Sequence, residues 1–141
     1  MAVFNKYYTF IDELSKGGHN LQTATYKAAL TNTAPTQASD TVWNTTVAPA
    51  PAAANNYTAG GNSITLTTAA TTAGVFKLVL PDTVFTATAG GIGPFRYVIL
   101  YNSSASNKSI GYYDYGSSIT LNDTETFTVD FDAANGVLTI T

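Results

Sequence analysis

The sequence predicts an all-β domain: a jelly-roll-like sandwich of two sheets with about eight or nine strands and one short N-terminal helix. From residue 57 onward, apolar residues alternate with Thr and other polar residues in short runs. Turn-forming Gly, Pro, Asn and Asp separate these runs at regular intervals. Thr, whose branched side chain suits a pleated surface, occurs 24 times among 141 residues. This length predicts a single domain, 1–141.

The one predicted helix covers residues 5–16. Apolar residues within and just before this range recur at spacings of three and four, which places them on one face of a helix; they are Phe4, Tyr7, Tyr8, Ile11 and Leu14. Gly17 and Gly18 follow, and glycine favours the left-handed conformation that ends a helix. The helix is therefore expected to depend on packing of its apolar face.

Short strands are predicted along most of the remaining chain, at the spacing of a β-sandwich. The predicted runs lie at 26–32, 64–67, 75–80, 84–88, 95–101, 110–115, 119–121, 126–131 and 138–140. The 95–101 run is apolar on both faces, which predicts a central strand. Residues 132–136 predict a hairpin loop, because Asn and Gly tolerate positive φ. An immunoglobulin-like sandwich is the alternative, but no Cys supports it.

A long loop or arm is predicted at 33–56. This segment is rich in Ala, Thr and Pro, and proline cannot donate to a central ladder. Loops of this length in a small domain are commonly functional or mobile. The segment contains the only tryptophan, Trp43. Two interpretations stay open: Trp43 fixes the loop to the core, or the arm reaches onto a partner.

Composition excludes several classes of function. Only 11% of residues are charged, the formal net charge is −3, and cysteine is absent. Five Lys and one Arg are too few for a nucleic-acid surface, and no thiolate or disulfide chemistry is possible. No apolar run is long enough for a membrane span, and the N-terminus does not resemble a signal peptide. We therefore expect a protein made in the cytoplasm that binds neither nucleic acid nor membrane.

Residues for catalysis or metal binding are scarce. The only histidine, His19, follows Gly18 in a turn, where a surface or hydrogen-bonded role is the commoner one. Asp130 and Asp132 share one strand face, but their spacing does not match a calcium loop. Residues 90–94 are glycine-rich without the Lys-Ser/Thr of a phosphate loop. We predict no enzyme activity, no catalytic, cofactor or metal site, and no small-molecule substrate.

Aromatic residues are the better candidates for function. Tyrosine is enriched at protein interfaces, where its ring is buried and its hydroxyl stays hydrated. Paired tyrosines occur in the predicted helix and in a predicted strand, and Trp43 lies in the Pro-rich segment. The predicted partner-binding residues are Phe4, Tyr7, Tyr8, Trp43, Tyr112 and Tyr113.

Several segments together carry a family resemblance. They are FNKY at 4–7, HNL at 19–21, ALTNTAP at 29–35, YTAGGN at 57–62, GPFRYVILYN at 93–102, YDYGSSI at 113–119 and FTVDFD at 127–132. Through them the chain resembles, along its whole length, a family of small structural proteins of tailed phages. Some members resemble the capsid cement (decoration) proteins of short-tailed phages. The resemblance implies a jelly-roll subunit that pairs into homodimers on the outer surface of the capsid.

The expected function is therefore structural. The resemblance implies a virion protein that clamps neighbouring major capsid proteins at two-fold positions, and it brings no catalytic or ligand-binding motif. Residues 48–56 are longer and richer in Pro and Ala than the family leads us to expect. The alternative is a carbohydrate- or receptor-binding β-sandwich module of the virion, since exposed tyrosines can stack on sugar rings.

Overall fold

Ten short strands and one helix form the fold in the computed structural model, which describes residues 2–44 and 54–141. The helix is α1 (Tyr8–Ser15). The strands are, in chain order, β1 (Phe4–Lys6), β2 (Tyr26–Thr31), β3 (Asn62–Ile64), β4 (Thr68–Thr72), β5 (Val75–Val79), β6 (Thr83–Thr86), β7 (Ile92–Asn102), β8 (Lys108–Leu121), β9 (Thr126–Val129) and β10 (Leu138–Ile140).

The strands form three antiparallel sheets. Their orders are β1-β8-β7-β2-β3, β10-β5-β4 and β6-β9. The predicted all-β, sandwich-like class is thereby confirmed, whereas the finer assignment to a jelly roll stays a prediction. The two-stranded sheet supplies a ring that packs on the large one: Phe127 of β9 meets Phe95 of β7 with ring centroids 5.0 Å apart.

The central strand β7 organises the large sheet. Every residue from Tyr97 to Asn102 is buried, so this part of the strand is covered on both faces, as its two-sided apolar pattern predicts. β7 pairs with β2 on one side and with β8 on the other. A single 3-10 turn (Ser103–Ala105) joins β7 to β8, so the two longest strands form one hairpin.

Phe95 departs from the predicted alternation. The pattern places it on the same face as Tyr97, Ile99 and Tyr101, but the β7–β8 register shifts between Phe95 and Tyr97. A two-residue step along β7 here faces a five-residue step along β8, from Ile119 to Asp114, and such irregular pairing re-aims side chains. The Phe95 ring is fully buried against the β9 ring of Phe127.

The N-terminal segment is shorter as a helix than predicted. The helix begins at Tyr8 rather than at residue 5, because Phe4–Lys6 pairs with β8 as strand β1. The predicted apolar face is also wrong in detail. Phe10 is fully buried and Leu14 is half-buried, while Tyr8 and Ile11 lie on the exposed side.

Two further differences concern connections. The run 132–136 is a turn, as predicted, with positive φ at Asp132 and Gly136, but it is not a hairpin loop. Its flanking strands β9 and β10 belong to different sheets and pair with β6 and β5. Strand β4, which the pattern did not predict, pairs along its whole length with β5.

The predicted loop at 33–56 is described only in part. Residues 33–44 form turns and one isolated bridge between Val42 and Lys108. The Ala/Pro-rich stretch 45–53 lies outside the described residues. The described residues 33–43 cover one face of the large sheet near Ile99 and Ser109.

Truncation of a core residue in β7 tests this architecture. Leu100→Ala should lower the free energy of unfolding by about 2–5 kcal/mol, because Leu100 is fully buried in the central strand. The matched control is Val84→Ala in β6, where 49% of the side chain is exposed and a change within about 0.5 kcal/mol is expected. Urea denaturation measures both. Equal effects of the two changes would contradict a central position for β7.

Candidate partner-binding surface

Five of the six predicted partner-binding residues come together where the N-terminus meets β8. Strand β1 pairs with β8 so that Phe4 lies opposite Tyr113 and Asn5 opposite Tyr112. The chain then continues directly into the helix through Tyr7, whose backbone N–H donates to the Ile110 carbonyl at 3.1 Å. Two segments more than a hundred residues apart in sequence are thus joined by one short ladder.

The aromatic rings sort onto the two faces of this ladder. On one face the Phe4 and Tyr113 ring centroids are 5.3 Å apart. On the other, Tyr7 and Tyr112 are also 5.3 Å apart, and Tyr97 meets the edge of Tyr112 at 6.5 Å. Tilted and edge-on contacts of this kind add to the gain from burial. The rings therefore hold the N-terminal strand to the sheet.

Burial separates these residues into two groups. Only 2% of Tyr7 and 6% of Tyr113 is exposed, and burial raises the pKa of both phenols. Phe4 and Tyr112 are half-buried, and Tyr8 is 64% exposed. Tyr7 and Tyr113, both predicted to bind a partner, therefore make their ring contacts within the chain.

Trp43 lies apart from this group and is also buried. Its indole stacks on Tyr101 of β7, with centroids 4.9 Å apart and planes 20° from parallel. Its backbone N–H donates to the Asn107 carbonyl at 2.9 Å. Only 6% of Trp43 is exposed, so the indole fixes the described part of the loop to the core. Of the two interpretations left open for Trp43, its burial favours the one in which it fixes the loop to the core.

Behind this loop lies a small cavity of about 140 Å³. Tyr7, Trp43 and Ile99 contribute to its wall, so it separates the 33–43 segment from the large sheet. The buried Trp43 Nε1–H has no hydrogen-bond partner among the described residues. A cavity of this size can hold water molecules, and a water would satisfy such a donor.

The exposed apolar side chains identify a different surface. Five large apolar residues of the described chain are strongly exposed, and four belong to the N-terminal segment or the loop beside it: Val3, Tyr8, Ile11 and Val42. We call these four the N-terminal apolar patch. The helix and the loop are joined by hydrogen bonds, from the Tyr8 N–H to the Gln37 carbonyl at 3.1 Å and from the Thr9 hydroxyl to the Asp40 carbonyl at 2.6 Å.

Sequence reasoning found only Tyr8 of this patch. Ile11 was assigned to the helix face as a whole, and Val3 and Val42 were not singled out. The usable signal was the spacing of three between Tyr8 and Ile11, which places them on the same side of α1. The buried side was instead set by Phe10, which packs on the His19 ring at 5.0 Å.

Ion pairs involve half of the six basic residues. Lys16 pairs with Asp12 and Lys108 with Glu13. Arg96 binds Asp114 through two bonds of 2.7 and 2.8 Å, and this guanidinium lowers the pKa of the carboxyl. The described surface therefore offers no concentrated positive charge. Its exposed apolar and aromatic side chains are therefore the better candidates for contact with a partner.

The residues considered for catalysis occupy structural positions. His19 is buried, not on the surface, and burial lowers its pKa. Its Nδ1 lies 3.5 Å from the Asn102 amide, at the limit of a hydrogen bond. Asp130 accepts the Asp132 N–H, and Asp132 accepts the Asn135 N–H, so both carboxylates stabilise the turn.

No group of three or more His, Asp or Glu side chains could hold a metal ion among residues 2–44 and 54–141. Within the same residues, no helix has the length and apolar character needed to cross a membrane.

No protein-family model matches the chain, and neither a curated protein nor a solved structure is significantly similar to it. The surface is therefore interpreted from its own residues. It presents exposed aliphatic groups and phenols beside a rigid sheet, an arrangement suited to contact with another protein.

The assignment of Trp43 to the core has a direct test. Trp43→Ala should reduce the free energy of unfolding by about 3–5 kcal/mol, because a buried indole and its stacking contact with Tyr101 are both lost. Tyr8→Ala is the control, with an expected change within about 0.5 kcal/mol. Thermal and urea unfolding measure both. An unchanged stability in Trp43→Ala would mean that the loop is not held by its indole.

The buried phenols predict a loss of stability at alkaline pH. Burial raises the pKa of Tyr57, Tyr101 and Tyr115 from 10.0 to about 12. Their neutral forms stabilise the fold fully below pH 10, and this contribution is lost as the pH rises towards about 12, because the unfolded chain ionises first. Melting temperature across this range and tyrosinate absorbance test it. The absorbance of a urea-unfolded sample should change in one step near pH 10; the same curve for the folded protein would contradict the prediction.

Proposed function

We propose that the protein is a structural component of a phage virion, a cement (decoration) protein on the outer face of the head. In this proposal it stabilises contacts between major capsid proteins, acts as a homodimer, and is made in the host cytoplasm before it reaches the particle. The observation that carries the proposal is the N-terminal apolar patch, together with the resemblance of the sequence segments quoted above.

The patch supports a protein partner. Val3 is 73% exposed and Tyr8 is 64% exposed, so a partner that covers them would remove apolar surface from water, which is favourable. Exposed apolar residues that gather on one segment commonly mark a binding surface. The major capsid protein is the partner that the resemblance suggests. A second copy of the chain is treated separately below.

The secondary structure that holds the patch in place also supports the proposal. Val3 precedes β1, which pairs with β8, and Tyr8 and Ile11 are carried by a helix bonded to the loop 36–43. A surface held in this way loses little conformational entropy when it binds. On a capsid, the lattice repeats the same contact many times, so modest affinity at each site is sufficient for retention.

Carbohydrate binding has less support than capsid binding. A sugar platform needs an aromatic face open to solvent, and the Trp43 indole is covered by Tyr101. Of the tyrosines considered for such a role, Tyr8 alone is strongly exposed. A glycan array with the isolated protein gives the discriminating result.

Substitution of the patch tests the proposal. Tyr8→Ala combined with Ile11→Ala should weaken retention on purified heads by about tenfold or more, as expected for an aromatic residue near the centre of an interface. Val84→Ala, which removes an exposed apolar residue of β6, is the control and should bind as the unchanged protein does. Co-sedimentation with heads measures both. Equal binding of the double variant would remove the patch from the interface.

Salt dependence provides an independent test. Because only 11% of residues are charged, attachment should persist in about 1 M NaCl, where the screening length falls to roughly 3 Å. Release of the protein from heads under these conditions would indicate an electrostatic interface and contradict the apolar contact. Failure to bind heads in any buffer, together with glycan binding, would favour the carbohydrate-binding module.

A further inference from the structure

Strand β4 forms an edge of the three-stranded sheet, and among the described residues its outer backbone groups receive one long contact, from the Gln22 amide to the Ala69 carbonyl. We propose that this edge pairs antiparallel with the β4 edge of a second copy, closing a two-fold dimer with a continuous six-stranded sheet. The inference deepens the proposed function by assigning a surface to the homodimer. It rests on that function only for its place on a capsid.

The direction of the backbone groups can be worked out from the neighbouring strands. The Leu78 carbonyl of β5 accepts the Val137 N–H at 2.9 Å, so Leu78 is directed towards β10. Its cross-strand neighbour Ala69 must then direct its own groups away from β5. In agreement, the Gln22 side-chain amide reaches the Ala69 carbonyl at 3.4 Å from outside. Ala69 and Thr71 therefore present N–H and C=O groups at the free edge.

Two of the other edge strands, β1 and β6, accept closer side-chain hydrogen bonds. On β1, the Gln37 side chain donates to the Lys6 carbonyl at 2.8 Å. On β6, the Asn62 amide donates to the Val84 carbonyl and the Asn56 amide to the Thr86 carbonyl, both at 2.9 Å. The contact on β4, from the Gln22 amide to the Ala69 carbonyl, is longer than these bonds, at 3.4 Å. The β4 edge is thus the most weakly protected of the three.

The sequence of β4 lacks the usual protection of an edge. Natural edge strands carry charged side chains, proline or a bulge, which discourage pairing with another chain. Strand β4 consists only of Thr and Ala, its register with β5 is continuous, and four of its five residues are exposed. Such a strand is suited to pairing rather than shielded from it.

A two-fold axis through Ala70 satisfies every edge group at once. In this register Ala69 lies opposite Thr71 of the second copy, and each such pair exchanges two N–H···O bonds. Four backbone hydrogen bonds result from the two symmetric pairs. Across the seam, Thr68 lies opposite Thr72 of the second copy, and the two Ala70 methyl groups face each other. All these side chains are small and neutral, so the edge is complementary to itself.

Charge does not oppose this pairing. The nearest basic group on the same strand pair is Lys77, the cross-strand neighbour of Ala70 on β5. In the proposed dimer, the two copies of β5, which carry Lys77, would lie three strand spacings apart, about 14 Å. That separation exceeds the screening length of roughly 8 Å at physiological ionic strength.

The same geometry limits assembly to two copies. Each chain has one β4 edge, and an interface that uses the same strand on both sides is closed by its own symmetry. Pairing of β4 with a different edge of the next copy would instead continue into a filament. The Gln22 side chain is exposed, and an incoming strand replaces its long bond to Ala69.

Sedimentation of the purified protein alone tests the inference. With rising concentration, the mass of the unchanged chain should increase from 14.8 kDa towards twice that value and stop there. Thr71→Pro should stay at the monomer mass, since proline removes an edge N–H and is tolerated where that N–H faces solvent. Thr71→Val, which keeps the N–H, is its control and should dimerise.

A second variant guards against a folding defect in Thr71→Pro. Ala70→Lys places two like charges on the axis beside the Lys77 pair and should also be monomeric, while Thr139→Lys, on the same sheet at β10, should dimerise. Circular dichroism verifies that each variant is folded. A wild-type mass that stays at the monomer value, growth beyond two copies, or a dimer in folded Thr71→Pro or Ala70→Lys would each overturn the inference. A dimer that fails to bind heads would instead count against the capsid proposal alone.

Discussion

The pairing of β7 with β8 is the interaction on which the rest of the structure depends. These are the two longest strands, joined by one tight turn, and each supports a further part of the large sheet. β2 and β3 extend from β7, and the N-terminal strand attaches to β8. Because β7 is covered on both faces, its burial is shared by two layers: the two-stranded sheet with its Phe127 ring, and Tyr7 together with the loop 33–43. A hairpin is local in sequence, so this ladder can form before the distant contacts do.

Much of the fold was predictable where hydrophobic alternation is strong, as in β2, β5 and β7. The failures have physical causes. Strand β4 is Thr and Ala throughout, so it carries no alternation to detect. Phe4 was counted on the apolar face of the predicted helix because its spacing fits that face. Its actual partner, Tyr113, is remote in sequence. The candidate surface suffered from the same limitation. Nothing local distinguishes Tyr7, which is buried, from Tyr8, which is exposed, since tertiary contact alone decides between them.

The aromatic residues fall into two groups, one buried between the sheets and one exposed. Those placed deep, including Tyr113 and Phe131, join the sheets and have phenols or rings that water does not reach. Tyr8, with its aliphatic neighbours, is left outside on a helix that is itself well anchored. Only 11% of the residues are charged, and three of the four exposed positions of β4 carry Thr hydroxyls instead. In the proposed function, contacts with other molecules depend on shape, on apolar area and on the β4 edge.

The stacked Trp43 and Tyr101 pair has an optical consequence. Since the chain contains a single tryptophan, its indole emission comes entirely from the point where the loop meets the central strand. The wavelength and intensity of that emission report whether the loop is docked, without any introduced label. The protein therefore carries an intrinsic fluorophore at the boundary between its rigid sheet and the Ala/Pro-rich segment that follows.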